Sequence, residues 1–203
     1  MPSYHAPLIA SAALKAGEHV VHVGAGVGYY TAIMAQIVGS AGKVTAIEFD
    51  PALAKRAAAN FSSMSHVQVI EGDGATVPFD VADVIYVNAG ATRPADCWLD
   101  RLADGGRLIL PLTAGKALPP AGQLARHGAV FRIERRGEDY LAQWISPVGV
   151  YPCEGGRDAV SEAALDRALR AGGWQKVTRL RRTGDLPEEQ CWLRAPDWAL
   201  TYY

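Results

Sequence analysis

Val20-Val21-His22-Val23-Gly24-Ala25-Gly26-Val27-Gly28-Tyr29-Tyr30 is the stretch on which the reading of this chain turns. Its first four residues, valines broken only by His22, have the character of a buried parallel strand. Three glycines at alternate positions follow, and Thr31–Val38 then carries Ile33, Met34 and Ile37 at helical spacing. Strand, glycine turn and helix form a cradle of the nucleotide-binding type. Glycine lets the backbone pass through positive φ and lets a ligand approach with no Cβ in the way.

The spacing is G-x-G-x-G and differs from the G-x-G-x-x-G of pyrophosphate-binding dehydrogenases. Twenty residues past Gly28, a second strand predicted over Lys43–Phe49 delivers Glu48 at its end. A carboxylate there can accept both hydroxyls of a ribose. A glycine turn alone also fits a plain tight βα loop; with the strand before it and an acid at that distance, it points to a bound nucleoside.

Outward from this stretch, strands and helices alternate. Pro2–Lys15 is rich in Ala and Leu and is predicted helical from about Ala6. Asp50-Pro51 opens a helix over Ala52–Phe61, with an N-cap carboxylate and a proline at the first helical position. Strands are predicted at Val67–Glu71, Ala82–Asn88 and Arg107–Leu112. A helix is placed at Trp98–Leu102, and Asp104-Gly105-Gly106 reads as a turn. This alternation specifies right-handed crossovers and a parallel sheet, whose ligands sit beyond the carboxyl ends of the strands. Gly24–Gly28, Glu48, Asp73 and Asn88 all fall at such ends.

After Pro111 the pattern changes. Ala114–Ala121 reads as a loop. Val130–Arg135 and Tyr140–Val148 read as an antiparallel hairpin around the four-residue turn 136–139. Ser161–Ala171 reads as a helix, followed by strands at Val177–Arg182 and Cys191–Ala195.

The 203 residues suit one domain with an appendage, and 49% apolar and 20% charged residues are ordinary for a soluble globular protein. A net charge of −1 argues against a nucleic acid held by electrostatics. No apolar run reaches 18 residues, and the N-terminus has neither the basic nor the apolar region of a secretory signal. Cys97, Cys153 and Cys191 are odd in number and far apart, the pattern of reduced thiols in a cytoplasm. No metal is expected.

These residues resemble class I S-adenosylmethionine-dependent methyltransferases, and among them the protein-L-isoaspartate O-methyltransferase group. The resemblance runs from about Pro2 to Pro152, on VVHVGAGVGYYTA (20–32), VTAIE (44–48), GDG (72–74), GGRLILP (105–111) and PVGVYP (147–152). The last resembles that group's substrate-side segment. The resemblance implies an α/β Rossmann-like sheet, mostly parallel with an antiparallel hairpin in its C-terminal part. It implies a methyltransferase domain over 1–152; beyond Pro152 the resemblance fails, and 153–203 are expected to form an extension packed on that domain. It also implies S-adenosyl-L-methionine as cofactor, with Gly24 and Gly26 facing its methionine part, Glu48 on the ribose, and Asp73 with Gly74 beside the adenine. The residues agree with the last point, because a carboxylate between two glycines can accept from an exocyclic amine; it also suits a tight turn.

The full expected cofactor-binding set is His22, Gly24, Ala25, Gly26, Gly28, Tyr29, Glu48, Phe49, Asp73, Gly74 and Asn88. His5 and Asn88 are the candidate catalytic residues: His5 as a base for a hydroxyl or amine acceptor, Asn88 to orient the acceptor. A carboxylate acceptor needs no base. Asn88 equally suits a polar turn.

Three departures from the group stand out. His22 replaces the usual acidic residue two before the first glycine; it either hydrogen-bonds a water near the cofactor or is a core histidine. Only nineteen residues precede the first strand. The S-x-P-x-x-x-A segment aligns its proline with Pro2 and its alanine with Ala6, so its serine would fall one place before Met1 and is absent unless the true start lies upstream. Weak turnover of a generic isoaspartyl peptide is therefore expected, with a carboxylate or hydroxyl of a small molecule or peptide as acceptor. A true isoaspartyl repair enzyme, a non-catalytic nucleoside-binding module and a nicotinamide-dependent oxidoreductase are the alternatives. Trp174, Trp192, Trp198, Tyr202 and Tyr203 either pack the tail onto the sheet or form a homodimer surface or substrate lid. Lys176, Arg179, Arg181, Arg182 and Arg194 read as a solvated face.

Overall fold

The structure is a computed structural model that describes residues 2–115 and 128–203, with side chains from Pro7 onward. A single ten-stranded sheet runs through it. The strands are β1 (His19–Val23), β2 (Lys43–Glu48), β3 (Val67–Glu71), β4 (Ala82–Val87), β5 (Leu102–Thr113), β6 (Gly128–Arg136), β7 (Asp139–Pro147), β8 (Arg179–Arg181), β9 (Cys191–Arg194) and β10 (Ala199–Thr201). The helices are α1 (Pro2–Ala12), α2 (Tyr29–Val38), α3 (Pro51–Asn60), α4 (Asp96–Asp100) and α5 (Ala159–Ala171).

The spatial order is β3-β2-β1-β4-β5-β6-β7-β8-β10-β9. The pairs from β3 to β5 are parallel, and every pair from β5 onward is antiparallel. The chain order reverses between β1 and β4, the switch point where open α/β sheets open a crevice. The antiparallel part extends well past the expected hairpin: β8, β10 and β9, all beyond residue 152, continue the same sheet.

Strand alternation divides the core into two layers. Val21, Val23, Ile85, Val87, Leu108, Leu110 and Phe131 share one cluster, joined by Leu165, Trp192, Trp198 and Leu200. Val20, Val84, Tyr86, Ile109 and Val130 face the other way and meet Leu8, Ile9 and Ala12 of α1 and Met34, Ala35 and Val38 of α2. Of the tail aromatics, Trp192 and Trp198 are buried in the first cluster, Trp174 and Tyr202 pack half-buried against it, and Tyr203 stays exposed; Trp192 lies 5.6 Å from Phe131, centroid to centroid.

The turn expected at 104–106 is absorbed into β5, with a register irregularity opposite Ala82–Val84. The turn at 136–139 forms as expected, with strand pairing up to Arg136↔Asp139 and Gly137 at φ 60°. Most of the loop expected at 114–121 lies outside the described residues, as does the side chain of His5.

Candidate active site

The turn after β1 is built from its own hydrogen bonds. The amides of Gly24 and Ala25 both donate to Ile47 O, at 2.9 and 3.2 Å, and that of Gly28 donates to Ala25 O at 3.0 Å. The Gly26 amide donates to Glu48 Oε2 at 2.6 Å. With these donors occupied, the turn offers a ligand space more than N–H groups. Gly26 shows this best: its φ is 59°, and a Cβ added there meets nothing within 4 Å.

Gly28 has a different reason to be glycine. Its φ is 94°, and a Cβ would lie 2.3 Å from the Phe61 ring at the C-cap of α3. It sets the approach of α2 to α3, and neither it nor Tyr29 lines the cleft.

Glu48 ends β2 with 8% of its surface exposed. One carboxylate oxygen takes the Gly26 amide and the other takes the Asp50 amide at 2.9 Å. Asp50 in turn caps α3, its Oδ1 accepting from Ala52 and Leu53 at 2.8 and 3.0 Å. The acid is thereby fixed between the glycine turn and the next helix.

Around it opens a cleft of about 500 Å³. Val23, Gly24, Gly26 and Glu48 form its floor, with Phe49, Asp50 and Leu53 on one side and Gly72 and Gly74 beyond. Asn88 and Ala89 lie at the end of β4, and Tyr151, Pro152, Cys153 and Glu154 close the cleft from the tail. Phe49 and Tyr151 are strongly exposed aromatics at this cleft. Asn88 Nδ2 donates to Gly24 O at 3.3 Å, while its Oδ1 is buried with no hydrogen-bond partner among the described residues.

Of the expected residues, Gly24, Gly26, Glu48, Phe49, Gly74 and Asn88 line the cleft, and His22, Ala25, Gly28, Tyr29 and Asp73 do not. His22 is fully buried, bonds Thr31 Oγ1 through Nδ1 at 2.8 Å and meets the edge of Tyr86. Of its two readings the geometry favours the core histidine. Asp73 is half-buried outside the lining, its Oδ1 taking the Ala75 amide at 2.8 Å. The glycines beside it answer to packing, because a Cβ on Gly74 would lie 2.4 Å from Val23 and one on Gly72 would lie 2.5 Å from Val77. Trp98 Nε1 donates to Gly74 O at 2.7 Å and holds this loop in place.

Tyr151 and Pro152 belong to the segment expected on the substrate side, but Cys153 and Glu154 carry no signal in the sequence. They arrive through long-range pairing: the Gly90 amide donates to Tyr151 O at 2.7 Å and the Cys153 amide to Gly90 O at 2.9 Å. Burial, with the Asp73 charge nearby, pushes the thiols of Cys97 and Cys153 up to about 11, so both stay protonated at neutral pH. Among the described residues no three His, Cys, Asp or Glu side chains are grouped to hold a metal, and no helix is long and apolar enough to cross a membrane.

This sheet order, with a glycine turn after the first strand and an acid at the end of the second, defines a class I methyltransferase fold. The family model of protein-L-isoaspartate(D-aspartate) O-methyltransferases matches residues 1–138, and the chain belongs to that family. An Ignicoccus hospitalis protein-L-isoaspartate O-methyltransferase is 32% identical over 155 residues, which are 74% of this chain and 69% of that protein. A Rhodopseudomonas palustris relative is 34% identical over 83% of this chain and 66% of its own length. An Archaeoglobus fulgidus relative is 39% identical over 49% of this chain and 47% of its own. The chain thus spans from about half to about two thirds of these relatives. A solved protein-L-isoaspartate O-methyltransferase superposes with a TM-score of 0.65 at 26% identity, covering 74% of this chain and 46% of that one. A Plasmodium falciparum structure, described as a candidate enzyme of this kind in complex with S-adenosyl-L-homocysteine, shares the fold at 20% identity and a TM-score of 0.62, covering 75% and 73%. The open face of Gly26 beside an anchored carboxylate fits a nucleoside.

Proposed function

We propose that the chain transfers a methyl group from S-adenosylmethionine to an acceptor oxygen, a carboxylate or hydroxyl on a peptide or small molecule, with the isoaspartyl carboxylate the first to test. The observation that carries this reading is the Glu48 carboxylate, held by two backbone amides at the floor of the cleft. A carboxylate has about four lone-pair positions. Two are taken by Gly26 and Asp50, which leaves two for the hydroxyls of a ribose.

With the ribose on Glu48, the base lies toward Gly72–Gly74 and the methionine part toward Gly24 and Asn88. The bound cofactor supplies an activated methyl on its sulfonium. The protein's task is then to align the acceptor with that methyl at about 3 Å and to keep water out. Asn88 suits the first part, because its free Oδ1 can fix an acceptor or the cofactor's amine at the end of β4. Tyr151 suits the second, as an exposed aromatic at the same cleft. A carboxylate acceptor is anionic at neutral pH and needs no proton removed. The three cysteines are free, which agrees with a reducing compartment, and a cytoplasmic location is part of this reading.

Calorimetry with S-adenosylhomocysteine and with NAD tests the cofactor. Transfer of labelled methyl to an isoaspartyl peptide, beside its aspartyl counterpart and small carboxylic acids, tests the acceptor. Binding of NAD in preference to S-adenosylhomocysteine would overturn the reading.

A further inference from the structure

Cys153–Gly156 forms a short flap whose two ends are tied to one loop. The Cys153 amide donates to Gly90 O at 2.9 Å, and the Thr92 amide donates to Gly156 O at 3.0 Å. Arg157 reinforces the far end: its Nη1 donates to Gly90 O and Thr113 Oγ1 at 2.8 and 3.1 Å, and its Nη2 lies 3.1 Å from Glu162. The Asp158 amide donates to Thr92 Oγ1 at 2.9 Å. Between these anchors the tip, Glu154–Gly155, is exposed and makes no backbone–backbone hydrogen bond among the described residues.

The tip lies against Asp73. Gly155 has φ 74°, and a Cβ added there would sit 1.9–2.2 Å from the Asp73 carboxylate atoms. Asp73 itself is fixed, by the Ala75 amide on its Oδ1 and by Trp98 on the neighbouring Gly74 carbonyl. Of the two surfaces in contact, the flap tip is the less tied, its Glu154 carbonyl accepting only from the Cys153 thiol at 3.6 Å among the described residues.

The geometry points to a gate over the base. The Glu154–Gly155 tip covers the Asp73 carboxylate and keeps it out of the cleft lining, so an exocyclic amine of the base reaches that carboxylate only when the tip lifts. This inference rests on the S-adenosylmethionine reading of the cleft. A ligand that binds only the open form has its apparent affinity reduced by the fraction of protein that is open, and its association slowed alike. Gly155 is the gate's pivot, because only glycine can lie on the carboxylate at this φ.

The test compares S-adenosylhomocysteine association in wild type and Gly155→Ala by stopped flow, with amide hydrogen exchange of wild-type residues 153–156 as a second readout. The alanine methyl cannot share the carboxylate's space, so the tip is held off and the association rate rises about threefold or more. In the wild type, S-adenosylhomocysteine alters exchange at 153–156, whereas homocysteine, which lacks the base, leaves it unchanged. If Gly155→Ala fails to fold, the wild-type association rate decides: it levels off at high S-adenosylhomocysteine where opening limits binding, and a rate that stays linear overturns the gate. Binding with an unchanged association rate and unmoved exchange overturns the gate and leaves the cofactor reading standing. No binding of S-adenosylhomocysteine by the wild type overturns both.

Discussion

Replacing Glu48 with glutamine separates the structural role of this carboxylate from its role toward the cofactor. In the free protein its two oxygens accept from the Gly26 and Asp50 amides, at 2.6 and 2.9 Å. Glutamine keeps one oxygen and sets an NH2 group against the other amide. One charge-assisted hydrogen bond is lost and one donor is left facing another, which costs about 1–3 kcal/mol of stability. The loss in binding has a separate origin. The remaining lone pairs would accept two ribose hydroxyls, and loss of the charge weakens that pairing by about 1.5–3 kcal/mol, or about 10- to 150-fold in Kd. Calorimetry with S-adenosylhomocysteine and with its 2′-deoxy analogue completes a double-mutant cycle. The penalty of the mutation should shrink with the analogue, because one hydrogen bond to the ribose is already missing. A folded Glu48→Gln variant that binds both ligands as the wild type does would refute the assignment of the ribose to this residue.

Arg107→Met should destabilise the fold by about 3–5 kcal/mol in urea titrations, because it strands Glu18 with little exposure; a loss below about 1 kcal/mol contradicts the argument. Burial alone would raise the Glu18 carboxyl, but Arg107 and the Lys15 amide outweigh it and hold it below its ordinary 4.5. Its contribution is therefore present above pH 4.5 and lost as pH falls through the lowered folded value, so the gap between Arg107→Met and wild type should narrow in acid. Gly28→Ala should cost about 2 kcal/mol through its φ of 94° and its overlap with Phe61, and a Phe61→Ala background should recover part of that loss. Truncation after Gly155 removes α5, β8, β9 and β10, with Trp192, Trp198 and Leu200 of the core; the product should show no cooperative melt, and a soluble fragment of wild-type stability would contradict this.

The parallel half of the sheet was legible because buried strands announce themselves as valine runs: Val20–Val23, Val44–Ile47 and Val84–Val87 stand within a residue or two of their expected places. The tail was harder. Three-residue strands such as Ala199–Thr201 are too short to show a period, and they form because β8 and β9 flank them. The place of Glu48 in the cleft was legible because an acid at a strand end has chemical meaning by itself. His22 was not, since the same local pattern serves a residue facing a ligand and one facing Thr31 in the core. The packing role of Gly28 was hidden for a related reason. Its motif is local, but the Phe61 ring that demands a glycine there lies 33 residues away in sequence.

The glycine–arginine block before β5's apolar run shows how a motif recognised by resemblance acquires a physical cause. Gly106 is glycine because a Cβ would lie 2.8 and 3.0 Å from the carbonyls of Ala103 and Asp83 where the strand register shifts. Arg107 then turns its guanidinium to the end of α1. Its Nε and Nη2 donate to Ala12 O and Ala13 O, each at 2.5 Å, and Nη1 and Nη2 grip Glu18 at 2.6 and 2.8 Å. Helix carbonyls at a C-terminus lack intrahelical partners, and a cation there also complements the helix dipole. Ala13 has the left-handed φ of 46° that ends many helices, in a place where glycine is more usual. The arginine therefore does what a C-cap glycine and its amides would otherwise do, from a neighbouring strand. In doing so it fixes α1, the helix that carries His5, to the strand beside β4, whose end presents Asn88 to the cleft.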